Sequence, residues 1–315
     1  MKIAFLADAL DSFKIYKDST YAMMAEAAKR GHEIHAFEQQ DIALEDGHVV
    51  AAARRVELTG DTAQWYRAGE PVQARLRDFD AVVLRKDPPF DLEYIYTTYL
   101  LETAQRHGAR VFNKPEAVRN HSEKLSIAEF PQFTAPTLVT RDEVRLRAFH
   151  HAHKDVIFKP LDGMGGAGIF RVTENGMNLG SVIEMLSENG RRTIMAQRYI
   201  PEISQGDKRV LLIGGQVVPH CLARIPQPGE VRGNLAAGGT GVARLLSKRD
   251  REIAETLAPI LAARGLLLVG LDIIGDSLTE INVTSPTCFR EITQQTGFDV
   301  AAMFIDALEK AAQAS

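Results

Sequence analysis

The alternation of apolar runs with amphipathic segments predicts a β-α-β unit at the start of the chain. Lys2–Asp8 is an apolar run that ends in an acid, which is typical of a buried parallel strand. Asp18 and Ser19 offer N-terminal caps for a helix over Thr20–Arg30, and Glu33–Glu38 has the character of a second strand. Because parallel strands need a crossover between them, this order predicts a doubly wound parallel sheet in the N-terminal part of the chain.

Further elements complete a first domain. An alternating hairpin is predicted over 43–60, and Asp80–Arg85 is another buried strand, which ends because a pair of prolines follows it. Helical spacing covers Leu92–His107, and a short strand covers Val111–Asn113. We therefore predict a first domain over residues 1–122 and a second domain over residues 123–315.

The second half has a different texture, with strands and glycine-rich loops in place of β-α-β alternation. Strands are predicted over Pro136–Thr140, Val156–Leu161, Ile169–Thr173, Thr193–Tyr199, Arg209–Ile213, Gln216–Ala223, Leu266–Ile274 and Leu278–Val283. Helices are predicted over about 141–153, 250–264 and 298–312. Segment 226–241 contains five glycines and two prolines and is predicted to be a mobile loop.

Composition narrows the function classes. The chain has 315 residues and 45% apolar residues, which suits about two soluble domains, and its net charge of −4 argues against a general nucleic-acid binder. Two cysteines imply no disulfide framework, so a reducing compartment fits. No apolar run is long enough to cross a bilayer, and the N-terminus lacks signal-peptide character. We expect a cytoplasmic α/β enzyme that binds neither nucleic acid nor membrane.

The segment Lys159–Gly168 carries the first chemical signal. Its glycines at 163, 165 and 168 match G-x-G-x-x-G, but a strand rather than a helix follows, which excludes a Rossmann dinucleotide site. A Walker A loop is excluded because Ile169 and Phe170 stand where lysine and serine or threonine are required. A glycine-rich loop between antiparallel strands can instead cover a triphosphate, with Lys159 reaching a phosphate. The alternative is a flexible hairpin without a ligand.

Alternating acids near the C-terminal end carry a second signal. Glu280 and Asn282 are two residues apart on one strand and so point to the same face, and Asp272 can lie opposite them on the partner strand. Three oxygen donors on one patch suit Mg²⁺, which binds through a few carboxylates together with phosphate oxygens. The alternative is a solvated polar face of a half-exposed sheet.

Two weaker signals concern the nucleotide base and anionic substrates. Met195–Pro201 is a strand end with mixed polar groups, which suits an adenine pocket or is a plain strand end. Arg85 ends a strand at the proline pair, while Arg209 and Arg224 lie on the two arms of a predicted hairpin. Arginine binds carboxylates through its planar fork, although single surface arginines are more often merely solvated.

Taken together, these motifs resemble the ATP-grasp superfamily and, more narrowly, the bacterial glutathione synthetase family. The segments that carry the resemblance are RKDPPF at 85–90, KPLDGMGG at 159–166, DKRV at 207–210, LARIP at 222–226, RGNLAAGG at 232–239 and VGLDIIGDSLTEINVTSPTCFR at 269–290. The resemblance implies an N-terminal doubly wound parallel-sheet domain (a pre-ATP-grasp domain) followed by an ATP-grasp fold of two α+β subdomains. It extends over nearly the whole chain.

The resemblance also implies a reaction and its components. It implies ligation of γ-glutamylcysteine to glycine through an acyl phosphate, with ATP cleaved to ADP and phosphate, by a homotetramer. It implies ATP-binding positions at Lys124, Lys159, Gly163, Met164, Gly165, Gly166, Gln197, Tyr199, Ile200 and Asp207. It implies two ions of Mg²⁺ or Mn²⁺ on Asp272, Glu280 and Asn282. It implies substrate contacts at Asp18, Ser19, Arg85, Arg209, Arg224, Val283 and Thr284.

Within this scheme, Lys159, Arg209 and Arg224 are the expected catalytic side chains, since they can offset charge on the phosphoryl group and on the oxyanion. Loop 226–241 is expected to form a lid that excludes water, with lid positions at Arg232, Gly233, Gly238 and Gly239.

Two alternatives remain open from the sequence. Another ATP-grasp carboxylate–amine ligase, of the D-alanine–D-alanine or glutamate-adding type, is one, although RKDPPF argues against it. A non-catalytic nucleotide sensor on the same fold is the other, and the complete metal set argues against that.

Overall fold

The computed structural model of this protein describes residues 1–163, 165–230, 232–233, 235 and 238–314. Within these residues, no helix is long and apolar enough to cross a membrane.

An eight-stranded mixed sheet forms the N-terminal part. Its strands are β1 (Lys2–Leu6), β2 (Glu33–Phe37), β3 (Ile42–Glu45), β4 (His48–Leu58), β5 (Tyr66–Ala68), β6 (Val72–Arg75), β7 (Ala81–Leu84) and β8 (Val111–Phe112). Strands β2, β1, β7 and β8 are parallel neighbours in that order, as the β-α-β pattern predicts. Strands β3 to β6 extend the sheet beyond β2 by antiparallel pairing around β4.

Three helices accompany this sheet: α1 (Ser19–Lys29), α2 (Leu92–Arg106) and α3 (Pro115–Asn120). Helix α1 begins where the cap residues predict, because the Asp18 carboxylate accepts a hydrogen bond from the N–H of Tyr21 at 2.7 Å. The polar end of this helix therefore has a fixed position at the carboxyl edge of β1.

The C-terminal part contains two antiparallel sheets. The four-stranded sheet has the order β11 (Phe170–Val172), β10 (Val156–Pro160), β12 (Ile194–Arg198) and β9 (Thr137–Thr140), and it carries α4 (Glu143–His153) and α5 (Leu179–Leu186). The five-stranded sheet has the order β15 (Thr240–Leu245), β14 (Gln216–Ile225), β13 (Asp207–Ile213), β16 (Leu268–Ile274) and β17 (Ser277–Asn282). Its helices are α6 (Lys248–Ala263), α7 (Phe289–Thr296) and α8 (Val300–Gln313).

Apolar packing ties the N-terminal sheet to the five-stranded sheet. Phe5 and Met23 from the first share one buried cluster with Leu211 and Phe304 from the second, and α1 packs on α8. Asn113, just after β8, adds a polar link. Its amide nitrogen donates to the carbonyls of Leu268 and Val283, each at 2.8 Å. The four-stranded sheet has a cluster of its own with α4 and α5.

The predicted fold class is confirmed, and most predicted elements lie within a few residues of their predicted bounds. Helices α3, α5 and α7 and strands β5, β6 and β15 have no counterpart in the prediction. They are short, so a few residues of periodicity could not distinguish them from loop. Strand β15 also begins inside the predicted loop, which therefore ends at Gly239.

Candidate functional site

A cavity of about 450 Å³ lies where the three sheets meet. Among its lining residues are many of the predicted site positions, namely Asp18, Ser19, Arg85, Lys124, Lys159, Gly163, Gly165, Gly166, Gln197, Tyr199, Ile200, Asp207, Arg209, Arg224, Arg232, Gly233, Glu280, Asn282 and Thr284. Residues more than 250 positions apart in the chain therefore face one volume.

A buried charge network forms the floor of the cavity. The Asp272 carboxylate accepts from Arg209 Nε at 2.5 Å and Nη2 at 3.0 Å, and it is paired with Arg224 Nη2 at 2.8 Å. Arg224 Nη2 also donates to Asp207 at 2.5 Å. Burial alone would raise the pKa of Asp272, but the two guanidinium groups bring it well below its ordinary value. Asp272 is thus an ionised group just beneath the cavity surface.

Sheet register explains why these side chains meet. Arg209 on β13 is paired with Asp272 on β16, which is paired with Glu280 on β17, so all three side chains share one face. Asn282 lies two residues beyond Glu280, and therefore on the same face. The predicted opposition of Asp272 to Glu280 and Asn282 is present.

Two buried lysines lie between the acidic face and the glycine-rich loop, and Lys124 contacts both. The Lys124 ammonium donates to Glu280 Oε1 at 2.8 Å and to the carbonyl of Gly163. Burial alone would lower the pKa of Lys124, but the Glu280 carboxylate raises it above its ordinary value. Lys159, on β10, is only 7% exposed, and burial lowers its pKa to about 8. Strands β10 and β11 on either side of the loop are antiparallel, as predicted.

The donor set suits a divalent cation bound by oxygen. Asp272, Glu280 and Asn282 supply two carboxylates and one amide on one face, the ligand chemistry of Mg²⁺ or Mn²⁺. In the described part of the chain, no group of three or more His, Cys, Asp or Glu side chains is arranged to hold a metal. A cation here would therefore need the amide oxygen or ligand phosphates to complete its shell.

The strand end at β12 lines another wall. Gln197 accepts from Lys159 at 3.4 Å and donates to Thr137 Oγ1 at 3.0 Å, so its amide orientation is fixed from both sides. The Tyr199 ring lies under the Arg171 guanidinium, 3.6 Å from its carbon to the ring centroid. Tyr199 and Ile200 thus give this wall flat and apolar surface suited to a planar base.

Arg85 lies at the wall that the N-terminal sheet contributes. Its Nε donates to Thr20 Oγ1 at 3.1 Å and its Nη2 to the carbonyl of Pro286 at 2.9 Å. Its Nη1 is buried and has no hydrogen-bond partner among the residues that the structure describes. A guanidinium with one nitrogen left unpaired beside a cavity suits an anionic ligand. Asp18 lies near it, and burial raises the pKa of Asp18.

Loop 226–241 reaches the cavity at Arg232 and Gly233, whereas Gly238 and Gly239 do not line it. A Cβ on Gly233 would lie 2.3 Å from the Arg224 carbonyl oxygen, so this close approach requires glycine. Val231, Asn234, Ala236 and Ala237 of the loop, and Met164 of the predicted ATP set, lie outside the described residues.

Two predicted positions lie just behind the cavity. Asp272 is 2% exposed under its arginines, and the side chain of Val283 is buried in the core. Sequence reasoning missed Glu123, Cys288 and Glu291, which also line the cavity. No local pattern distinguishes them from other acids and cysteines, since only the tertiary fold brings them to this place.

Gly270, like Gly233, lies where neighbouring atoms leave no room for a side chain. The Gly270 carbonyl accepts from Asn282 Nδ2 at 3.2 Å. A Cβ on Gly270 would lie 2.9 Å from Arg209 Cδ and 3.1 Å from Pro286 Cβ. Arg209 and Pro286 therefore occupy the space that a side chain at position 270 would need.

Comparison with protein families gives two matches that together cover most of the chain. The prokaryotic glutathione synthetase N-terminal domain matches residues 1–119, and the prokaryotic glutathione synthetase ATP-grasp domain matches residues 123–297.

Similar proteins extend over the whole length. A glutathione synthetase of Ralstonia nicotianae is 67% identical over 312 residues, covering 99% of this chain and 96% of that protein. A glutathione synthetase of Nitrosomonas europaea is 60% identical over 314 residues, covering 98% of each. Among solved structures, the D-cycloserine synthetase DcsG has a TM-score of 0.69 at 18% identity, covering 98% of this chain and 99% of that chain. The ATP-grasp ligase PsnB, complexed with a minimal precursor, Mg and ADP, has a TM-score of 0.63 at 19% identity, covering 99% and 98%. These structures share the fold.

The low pKa of Lys159 predicts a pH-dependent stability difference. A buried lysine with a pKa of about 8 destabilises the folded state at all pH values below 8, and this cost disappears as the pH rises toward the unfolded value near 10.5. Lys159→Met should therefore raise the free energy of unfolding by about 2 kcal/mol at pH 7. The gain should shrink between pH 8 and pH 10. Urea unfolding across this range measures it, with exposed Lys154→Met as the control. A variant that is less stable than the parent at pH 7 would contradict the burial argument.

Proposed function

The chain belongs to the prokaryotic glutathione synthetase family, and we propose that the cavity between its three sheets is where it joins γ-glutamylcysteine to glycine with ATP. The overall activity, ATP-dependent formation of glutathione, follows from family membership. What we propose is the assignment of its steps to residues. The observation that carries it is Lys124, whose ammonium contacts both the glycine-rich loop at Gly163 and the acidic face at Glu280.

The chemistry requires an activated carboxylate. A free carboxylate is a poor acyl donor, so ATP first phosphorylates the cysteinyl carboxylate of the dipeptide and forms an acyl phosphate. The glycine amine then attacks the acyl carbon, a tetrahedral oxyanion forms, and phosphate leaves. Positioning and charge neutralisation are therefore the tasks of the protein.

Lys124 and Lys159 are the groups we assign to the ATP phosphates. Both are buried cations beside the glycine-rich loop, whose Gly165 and Gly166 border the same cavity. Gln197, Tyr199 and Ile200 are assigned to the base, and Asp207 completes the proposed ATP set. A phosphate near Lys159 would favour its charged form, so nucleotide binding and protonation of this lysine support each other.

Asp272, Glu280 and Asn282 are the proposed ligands of Mg²⁺ or Mn²⁺, two ions per site. When bound, such ions neutralise charge on the transferring phosphoryl group. Arg209 and Arg224 are assigned to the oxyanion, because both combine deep burial with positions on the cavity wall.

The dipeptide is assigned to the wall that contains Asp18, Ser19 and Arg85, with Val283 and Thr284 beside it. The unpaired Nη1 of Arg85 supports a carboxylate at this place. Loop 226–241 is proposed as the lid, supported by Arg232 and Gly233 at the cavity. A homotetramer in the cytoplasm, and domains divided at residue 122, complete the proposal.

The first experiment measures phosphate release from ATP with γ-glutamylcysteine, with and without glycine, together with the product mass. Glycine-dependent release and a product with the mass of glutathione are expected. ADP formation that does not depend on the dipeptide would favour another ATP-grasp ligase, and nucleotide binding without turnover would favour a sensor.

Arg85→Lys should weaken dipeptide binding selectively. Lysine keeps the charge, but it cannot hold Thr20 and Pro286 while presenting a further nitrogen to the cavity. We expect the KM for γ-glutamylcysteine to rise about tenfold and the KM for ATP to change less than about twofold. Steady-state kinetics measure both, with Arg110→Lys, on a half-buried arginine outside the cavity lining, as the control. Equal increases in the two KM values would remove Arg85 from the dipeptide site.

Glu280→Gln should weaken divalent-cation binding without unfolding the protein. The change removes one carboxylate and leaves Lys124 with an uncompensated charge, and both effects oppose a cation. We expect the dissociation constant for Mn²⁺, measured by the paramagnetic resonance of free Mn²⁺ with a non-hydrolysable ATP analogue, to rise about tenfold. Asp276→Asn, an exposed acid on the turn between β16 and β17, is the matched control. Unchanged Mn²⁺ affinity in Glu280→Gln would refute the ligand assignment.

A further inference from the structure

Glu123, which the proposed function does not use, binds the segment that follows β17. One oxygen of its carboxylate, Oε1, accepts from the N–H of Val283 at 2.9 Å, the N–H of Thr284 at 3.1 Å and the Thr284 hydroxyl at 2.8 Å. Its own carbonyl accepts from the N–H of Ile281 at 2.8 Å. Four donors from three residues at the end of β17 and just beyond it thus converge on Glu123.

The segment that Glu123 binds leads directly to Arg85. The carbonyl of Pro286, two residues after Thr284, accepts from Arg85 Nη2 at 2.9 Å, and the Ser285 hydroxyl contacts Asp87. Arg85 Nε is held by Thr20 and Nη2 by Pro286. Together these two hydrogen bonds set the plane of the guanidinium and the direction of the unpaired Nη1. A shift of the 284–286 segment would therefore rotate Arg85 relative to the cavity.

The negative charge of Glu123 makes this connection strong. Hydrogen bonds from N–H and O–H groups to an ionised carboxylate are about twice as strong as those between neutral groups. Three donors on one oxygen also leave the segment little freedom. Glu123 is the first residue of the matched ATP-grasp domain and directly precedes Lys124, and no local motif identifies it in the sequence.

We propose that Glu123 is a positioning residue, which fixes the 283–286 segment and through the Pro286 carbonyl orients Arg85 for the dipeptide. The inference rests on the dipeptide placement proposed above. It does not require Glu123 to touch either substrate or to exchange a proton.

The sign of the charge effect makes the inference testable. Glu123→Gln removes a negative charge beside Lys124, so electrostatics alone would strengthen the binding of both anionic substrates, ATP and the dipeptide. Loss of positioning has the opposite effect, on the dipeptide alone. We expect the KM for γ-glutamylcysteine to rise about tenfold, with a KM for ATP that is equal or lower.

Asp250→Asn is the matched control. Asp250 is a buried carboxylate that accepts from the N–H of Ser247 at 3.0 Å and pairs with Lys208, away from the cavity lining. The Asp250→Asn variant should lower the melting temperature without changing the ratio of the KM for γ-glutamylcysteine to the KM for ATP. If Glu123→Gln behaves like Asp250→Asn, or raises both KM values equally, Glu123 is only structural and the inference is overturned.

A second pair of variants covers the case in which Glu123→Gln does not fold. Thr284→Val removes only the hydroxyl donor to Glu123, and Thr284→Ser keeps it. The KM for the dipeptide should rise about threefold in Thr284→Val and return toward the parent value in Thr284→Ser. Equal values in the two variants would also overturn the inference.

These experiments distinguish failure of the Glu123 role from failure of the proposed dipeptide site. If Arg85→Lys leaves the KM for the dipeptide unchanged, the placement of the dipeptide fails, whatever Glu123 does. If Arg85→Lys raises it and neither Glu123→Gln nor Thr284→Val does, only the role of Glu123 fails.

Discussion

The buried Asp272 carboxylate is the electrostatic constraint on which the cavity depends. An isolated carboxylate at 2% exposure would either take up a proton or destabilise the fold. Arg209 and Arg224 keep it ionised, and the three residues come from β16, β13 and β14. Charge compensation therefore requires the register of the five-stranded sheet, because a slip of one residue would turn these side chains to the opposite face. The same register places Glu280 and Asn282 beside Asp272.

Some of this arrangement could be predicted from the sequence and some could not. The spacing of Glu280 and Asn282 determines a shared face, and a tight turn before them places Asp272 opposite, so local geometry was sufficient. The caps at Asp18 likewise located helix α1. By contrast, the sequence predicted which arginines, lysines and acids belong to the site but not which of them form ion pairs. That Arg209 and Arg224 hold Asp272, and that Lys124 holds Glu280, depends on contacts between residues 48 to 156 positions apart.

The comparisons separate what the fold supplies from what the side chains supply. Solved structures at 18% and 19% identity share nearly the whole architecture with this chain, and an architecture alone does not determine a function. In the proposed assignment, substrate choice depends on walls such as the one at Arg85, where the N-terminal sheet meets the 284–286 segment. There, the Thr20 hydroxyl and the Pro286 carbonyl hold two guanidinium nitrogens, and the third has no hydrogen-bond partner among the described residues.

Gly270 limits how this protein can be re-engineered. Even the single methyl of an alanine would meet Arg209 on one side and Pro286 on the other. Arg209 belongs to the charge network, and the Pro286 carbonyl anchors Arg85, so one added carbon would disturb the charge network and the proposed dipeptide wall together. A combinatorial library intended to widen the range of accepted substrates should leave position 270 unvaried and take its diversity from the cavity rim.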